Sequence, residues 1–166
     1  EPDRALGRVE QLRQRYLETA SALLGDAAGD APADAGGRDG HAALTSDINQ
    51  QFDALVAVVK TLAVLREVSA RTLDVVAATG ELLSSRIIAA ALVHVGLPGE
   101  WVDARRVIVT DGNHTRAMPL MDDTTAALRT SVLAMVDAGR IPVLGGFVGA
   151  TVEGQTTTLG RGGSDY

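Results

Sequence analysis

From Leu82 to Val95 the chain reads LLSSRIIAAALVHV, which leaves little polar face on a helix. A helix that is apolar nearly all round has to be covered on several sides. This run therefore predicts a central helix lying against a sheet, opened by Glu81 and stopped by Gly96, with Pro98 just beyond. His94 falls near its C-terminus, where the helix dipole favours a cation, and reads as a structural histidine. Arg86 and His94 interrupt the run, so it is too short an apolar stretch to cross a bilayer, and no membrane partner is expected. The chain of 166 residues is 46% hydrophobic but only 3% aromatic, so its core must be built of Leu, Val, Ile and Ala.

Ahead of this run the pattern is helical. Val9, Leu12, Tyr16, Ala20 and Leu23 make one apolar stripe over residues 4–24, with Gly25 as the stop. Residues 25–45 are rich in Gly, Ala and Asp and read as a flexible connection, with His41 a solvated loop residue. Ile48, Phe52, Leu55, Val59 and Leu62 predict a second helix over 47–66, capped by Ser46 or Asp47 and paired with the first as an antiparallel hairpin. Ser69 caps a short helix, Ala70 to Thr79, that Gly80 ends.

After Glu100 the period shortens. Trp101–Ala104 and Val107–Thr110 read as strands, followed by a polar loop from Asp111 to Asp123. Thr124 or Thr125 caps a helix to Asp137, with Leu128, Val132, Met135 and Val136 inward. Ile141–Leu144 is a strand that runs into the glycine loop Gly145–Gly149. Glu153–Gly154 then turns the chain into a strand of threonines. Alternating helix and strand argues for a βαβ sheet with helices on its faces. The reading is thus an α/β chain in two parts: residues 1–79, a helical hairpin or insertion with its linker at 25–45, and residues 80–166, an α/β substrate-binding part.

A net charge of −6 disfavours a nucleic-acid partner, which needs a basic stripe, but leaves room for a nucleotide. The absence of cysteine rules out disulfides and thiolate metal sites and fits a cytoplasmic protein. No signal peptide opens the chain, and the start at Glu1 without a methionine suggests a piece of a longer protein.

Chemistry is concentrated near the end, in Gln155-Thr-Thr-Thr-Leu-Gly-Arg-Gly-Gly-Ser-Asp-Tyr166. β-Branched threonines suit a strand. Gly160, Gly162 and Gly163 let a ligand come close to the backbone, and the N–H groups of such a turn form an anion site. Arg161 can hold a carboxylate or phosphate with two parallel N–H bonds. Glu81, read as the first residue of a buried helix, is a carboxylate that the dipole favours. Each also has a plain reading: Arg161 as a surface charge, Glu81 as a first-turn residue, Ser164 and Asp165 as ordinary caps. Gly-x-x-x-x-Gly-Lys-Ser/Thr, Gly-x-Ser-x-Gly and His-Glu-x-x-His patterns are all absent. His114, in the polar loop, is not expected to be a catalytic base.

Several blocks of the chain resemble the aspartokinases, within the amino acid kinase family. Gly80-Glu-Leu-Leu-Ser84 is similar to that family's Gly-Glu-x-x-Ser helix start, and Glu100-Trp-Val-Asp-Ala-Arg105 to its Trp-x-Asp-Ala/Val-Arg strand. Gly139-Arg-Ile-Pro-Val143 and Gly146-Phe-Val-Gly-Ala150 resemble its Pro-Val-x-x-Gly-Phe-Ile-Gly run. Thr156 to Asp165 is the most specific block.

The resemblance implies a three-layer αβα sandwich, present here in part, with the N-terminal helices as an insertion. It implies transfer of the γ-phosphoryl group of ATP, with Mg2+, to the side-chain carboxylate of L-aspartate. The product is 4-phospho-L-aspartate, the first step toward lysine, threonine and methionine. By position Glu81 would hold the substrate ammonium. Arg161 would clamp its α-carboxylate with help from Gly162, Gly163 and Ser164, and Asp165 would position the amine and a catalytic lysine.

The chain departs from the family in lacking the Lys-Phe-Gly-Gly strand with that lysine, and in stopping before the nucleotide-binding half. The family's Phe-Gly-Arg stands here as His114-Thr115-Arg116. These 166 residues alone are therefore expected to be inactive; the resemblance also implies a homo-oligomer for the full-length protein. Two other readings are another amino acid kinase with a different acidic acceptor, and a non-catalytic helical dimerisation fragment.

Overall fold

The computed structural model describes residues 2–25 and 37–160, in two compact units, Glu1–Val68 and Ser69–Tyr166. The first unit is a pair of helices, α1 (Pro2–Leu24) and α2 (Gly37–Leu65). Ala20 from α1 and Leu44, Ile48, Phe52 and Leu55 from α2 are buried. Tyr16 meets Phe52 edge-on with ring centroids 5.5 Å apart, and Arg13 reaches Asp53 at 2.8 Å. These contacts pack α1 against α2.

One expectation is corrected here. Residues 37–45 are not linker but the first turns of α2, and His41 lies on that helix. Leu44 explains the extension: it is buried four residues before Ile48 and adds a further turn to the apolar seam.

The second unit is organised on α3 (Ala70–His94). Ser69 caps it as expected, its hydroxyl accepting the Thr72 N–H at 3.1 Å. Gly96, at φ 82°, follows its end. The predicted break at Gly80 does not occur. A glycine inside a helix costs about 1 kcal/mol relative to alanine. Ala78, Leu82, Leu83, Ile87 and Ala89 are buried along the same helix, and that burial outweighs the cost. The division drawn at residues 79 and 80 consequently falls inside one continuous helix.

Continuity also changes a membrane argument. By length and composition alone, Gly40–Leu65 and Ala70–His94 are long and apolar enough to cross a bilayer. In this structure α3 packs against strands instead.

Those strands form two small sheets. β1 (Gly99–Trp101) pairs in parallel with β3 (Ile141–Val143). β2 (Val109–Thr110) pairs in parallel with β4 (Val148–Thr151), which pairs antiparallel with β5 (Thr156–Thr158). Between β1 and β2 lies a 3-10 turn, Ala104–Arg106, where a strand was expected to end and another to begin.

The helix before β3 starts at Met121, earlier than the predicted threonine cap. It runs as α4 (Met121–Leu128), a π-helical turn (Arg129–Leu133) and α5 (Ala134–Asp137). Thr124 is not its cap. Its hydroxyl sits at 3.1 Å from both the N–H and the carbonyl of Val109, tying α4 to β2. Val136, expected inward, is half exposed. The buried set Ala78, Leu82, Ala104 and Val148, with Trp101, Ile108 and Leu144 against it, forms the core between α3 and the strands.

Candidate functional site

Glu81 lies in the middle of α3 with its side chain exposed. It is not the helix start that the sequence suggested, so the helix-terminal dipole gives its carboxylate no special support. Its surroundings are nonetheless those of the matched motifs. A Cβ added at Gly145 would come to 3.0 Å from the Glu81 carbonyl oxygen, so the glycine loop after β3 closes directly onto this turn. One turn further along, the buried Ser85 hydroxyl accepts the Trp101 indole N–H at 3.0 Å and donates to the Leu82 carbonyl at 3.0 Å. The Arg86 guanidinium stacks 3.9 Å from the centre of the same indole. Three blocks far apart in sequence thus converge on one stretch of α3.

Asp103 completes the β1 end. Its carboxylate receives Arg105 Nη2 at 2.6 Å and Nε at 2.9 Å, a bidentate pair, together with the Arg105 backbone N–H at 3.1 Å. Burial alone would raise its pKa. The Arg105 hydrogen bonds and charge, with the charge of Arg106, outweigh that and leave it below the ordinary carboxylate value.

The polar loop between β2 and α4 is held by two carboxylates. Asp111 accepts the backbone N–H groups of Met118 and Asn113, both at 3.1 Å, and the Asn113 side-chain amide at 2.7 Å. Its pKa is lowered, chiefly by the Met118 N–H; desolvation opposes this and the two Asn113 bonds add to it.

The second carboxylate, Asp74, is on α3 and is wholly buried. His114 Nδ1 lies 2.6 Å from Asp74 Oδ2. The Thr115 N–H reaches both carboxylate oxygens, at 3.0 and 3.1 Å, and the Thr158 hydroxyl donates to Oδ1 at 2.5 Å. Beside this knot is an open cavity of about 600 Å³ lined by Ala70, Gly112, Asn113, His114 and Arg116. A Cβ added at Gly160 would lie 3.8 Å from Arg116 Cα, so the start of the C-terminal glycine run borders the same loop.

Arg161, Gly162, Gly163, Ser164 and Asp165 lie outside the described residues. Of the residues read from the sequence as site candidates, Glu81 alone is described. Asp74 was missed. The available signal was one carboxylate inside the otherwise apolar stretch Leu73–Ala78, seven positions before Glu81 and so on the same stripe of the helix. His114, set aside as a base, is engaged by that carboxylate.

The sequence profile of the amino acid kinase family matches residues 21–166. The chain belongs to the amino acid kinase family. Among similar proteins, an aspartate kinase of Stutzerimonas stutzeri, Ask_LysC, is 41% identical over 96 residues, covering 57% of this chain and 22% of that protein. An aspartokinase of Thermus thermophilus is 35% identical over 125 residues, covering 75% of this chain and 29% of that protein. This amino acid kinase chain therefore spans about a quarter of the length of the curated relatives it matches.

Its fold resembles Escherichia coli aspartokinase III crystallised with lysine and aspartate. The TM-score is 0.65 at 24% identity, over 91% of this chain and 36% of that one. The same enzyme with aspartate and ADP matches with a TM-score of 0.57 at 27% identity, again over 91% of this chain and 36% of that one. The expected α/β fold of this family is thereby established.

Proposed function

We propose that this chain is the substrate-side part of an aspartate kinase. In the whole protein a side-chain carboxylate oxygen of L-aspartate attacks the γ-phosphorus of ATP. The bond from that phosphorus to the β,γ-bridging oxygen breaks, and 4-phospho-L-aspartate and ADP leave. This reaction opens lysine, threonine and methionine biosynthesis. Two anions must approach each other, so catalysis is positioning and neutralisation of charge.

The observation that carries the reading is the convergence on α3. The Gly80–Ser84 and Trp101 blocks, each similar to an aspartokinase motif, pack on the same stretch of helix as Gly145, which links the two halves of a third such block. Glu81 is exposed there and free in chemistry to accept a substrate ammonium. Arg161 would take the α-carboxylate, assisted by Gly162, Gly163 and Ser164, and Asp165 would orient the amine. These five roles rest on the resemblance of the terminal block. Aspartate-kinase names among the relatives, and the aspartate and ADP held by the structural neighbour, support the same substrate and a nucleotide.

Among the described residues no group of three or more His, Cys, Asp or Glu side chains is arranged to hold a metal ion. Mg2+ accompanying ATP would be held chiefly by the phosphate oxygens with one or two carboxylates and would neutralise charge on the transferring phosphoryl group. A cytoplasmic, homo-oligomeric parent follows from the same reading.

The test is phosphorylation of L-aspartate by the full-length protein. Arg161→Ala there should raise the aspartate KM strongly and leave the ATP KM nearly unchanged. An unchanged aspartate KM rejects the assignment. Preference for another acidic acceptor in competition would favour a different amino acid kinase. Self-association without aspartate or nucleotide binding would favour a dimerisation fragment. The isolated chain of 166 residues should not turn over.

A further inference from the structure

We propose that Asp74 is a positioning residue, a buried carboxylate that holds the 112–116 loop and β5 in the arrangement that binds the acidic substrate; this rests on the aspartate-kinase reading above. Burying a carboxylate is costly unless it is paired and hydrogen-bonded. Asp74 has no exposed surface, and its donors come from His114, Thr115 and Thr158, positions 40, 41 and 84 residues away in the chain. Helix, loop and strand thus share one anion. Removing it would leave three polar groups of two other segments without their acceptor.

Thr115 makes the dependence sharper. Its φ is 68°, in the left-handed region that a β-branched residue rarely adopts. Such a conformation persists only where its surroundings over-determine it. Here the Thr115 N–H is gripped by both Asp74 oxygens, and its neighbour His114 is held by one of them. At the corresponding position the similar family motif carries glycine, which adopts this backbone without strain.

Two of the segments held by Asp74 continue within a few residues to a group assigned to the substrate, and the third continues to the cavity lining. α3 continues two turns along the same stripe to Glu81. The loop continues to Arg116, which lines the cavity and borders Gly160. β5 ends at Thr158, three positions before Arg161. A carboxylate that merely stabilised the fold would affect all ligands alike. One that sets the spacing of these segments affects the acidic substrate selectively.

The experiment uses the full-length protein with Asp74→Asn and, separately, Thr158→Val. Asp74→Asn keeps the shape and removes the charge. It should raise the aspartate KM about tenfold while the ATP KM stays within about twofold, the scale of losing charge-assisted hydrogen bonds. Amide hydrogen exchange should quicken over residues 112–117 and 156–160 and stay unchanged in α1 and α2. Thr158→Val should move the same quantities less.

A folded Asp74→Asn variant with wild-type aspartate KM overturns the proposal. So does a parallel rise in both KM values with a fall in melting temperature, which marks a merely structural group. Should Asp74→Asn fail to fold, Thr158→Val decides, and unchanged aspartate KM with unchanged exchange at 112–117 overturns it. If the wild-type protein does not phosphorylate aspartate, the functional reading falls. Exchange in the variants still decides whether Asp74 holds the loop.

Discussion

Ser85→Ala removes the acceptor of the indole N–H of Trp101, the sole tryptophan of the chain. Ser85 is 6% exposed, and its hydroxyl is 3.0 Å from Trp101 Nε1. A half-buried N–H left without a partner costs about 1–2 kcal/mol. Alanine is the better helix former by about half a kcal/mol, which returns part of that. The net expectation is a loss of about 1 kcal/mol. For a unit of about a hundred residues this lowers the melting temperature by about 4–8 °C.

Circular dichroism melts and urea titrations of the single variants Ser85→Ala and Trp101→Phe, and of the double variant, isolate the term. Phenylalanine has no N–H to orphan, so in the Trp101→Phe background Ser85→Ala should cost nothing or stabilise slightly. Trp101→Phe itself also weakens the contact with Arg86, which lies 3.9 Å from the indole centre. A coupling of about 1 kcal/mol between the two positions is expected, as for a net buried hydrogen bond. If Ser85→Ala costs the same in both backgrounds, the indole is not what docks β1 on α3, and the convergence argued above loses its anchor.

Gly149→Ala should destabilise by about 1–3 kcal/mol, as overpacking does. The added Cβ would meet the Ile108 carbonyl oxygen at 2.7 Å and Thr110 Cγ2 at 2.8 Å, and the first is backbone that cannot rotate away. A melt indistinguishable from wild type would refute the close β2–β4 approach. Asp103 gives a pH test. Its folded pKa lies below the ordinary value of 3.8, because the Arg105 bonds and the Arg105 and Arg106 charges outweigh burial. The stability it contributes is therefore complete above about pH 4, and is lost as pH falls through the depressed folded value. Urea midpoints of wild type and Asp103→Asn should differ most near neutral pH and converge below that value. A difference that grows on acidification would reverse the sign of the argument.

Much of the fold was legible because it is punctuated locally. Gly25, Gly96, Gly139 and Gly154 all take positive φ at the ends or turns where their position in the sequence placed them. A run of β-branched threonines marked β5, and the three-to-four spacing of apolar residues marked α1 and most of α2. Local signals failed where tertiary burial overrode them. Gly80 reads as a stop, yet the helix passes through it because buried side chains flank it. Residues 37–45 read as linker, yet Leu44 extends the seam that Ile48 and Phe52 begin.

The candidate site divides along the same line. Glu81, Trp101 and Gly145 were found through short motifs, each of which reports a local backbone need or a single side chain. What brings these elements to one place is carried by pairs separated by tens of residues: Ser85 with Trp101, Gly145 with the Glu81 backbone, Asp74 with Thr115 and Thr158. Correcting Glu81 from helix start to helix middle removes the dipole as the reason for a carboxylate there. With an exposed side chain and the glycine loop pressed on its backbone, Glu81 has among the described residues no structural duty that a neutral residue of its size could not perform. A stabilising role would make Glu81→Gln costly to the fold. A role in holding a cationic group of the substrate makes the same change nearly silent in a melt and severe in the aspartate KM, and that opposition separates the two accounts.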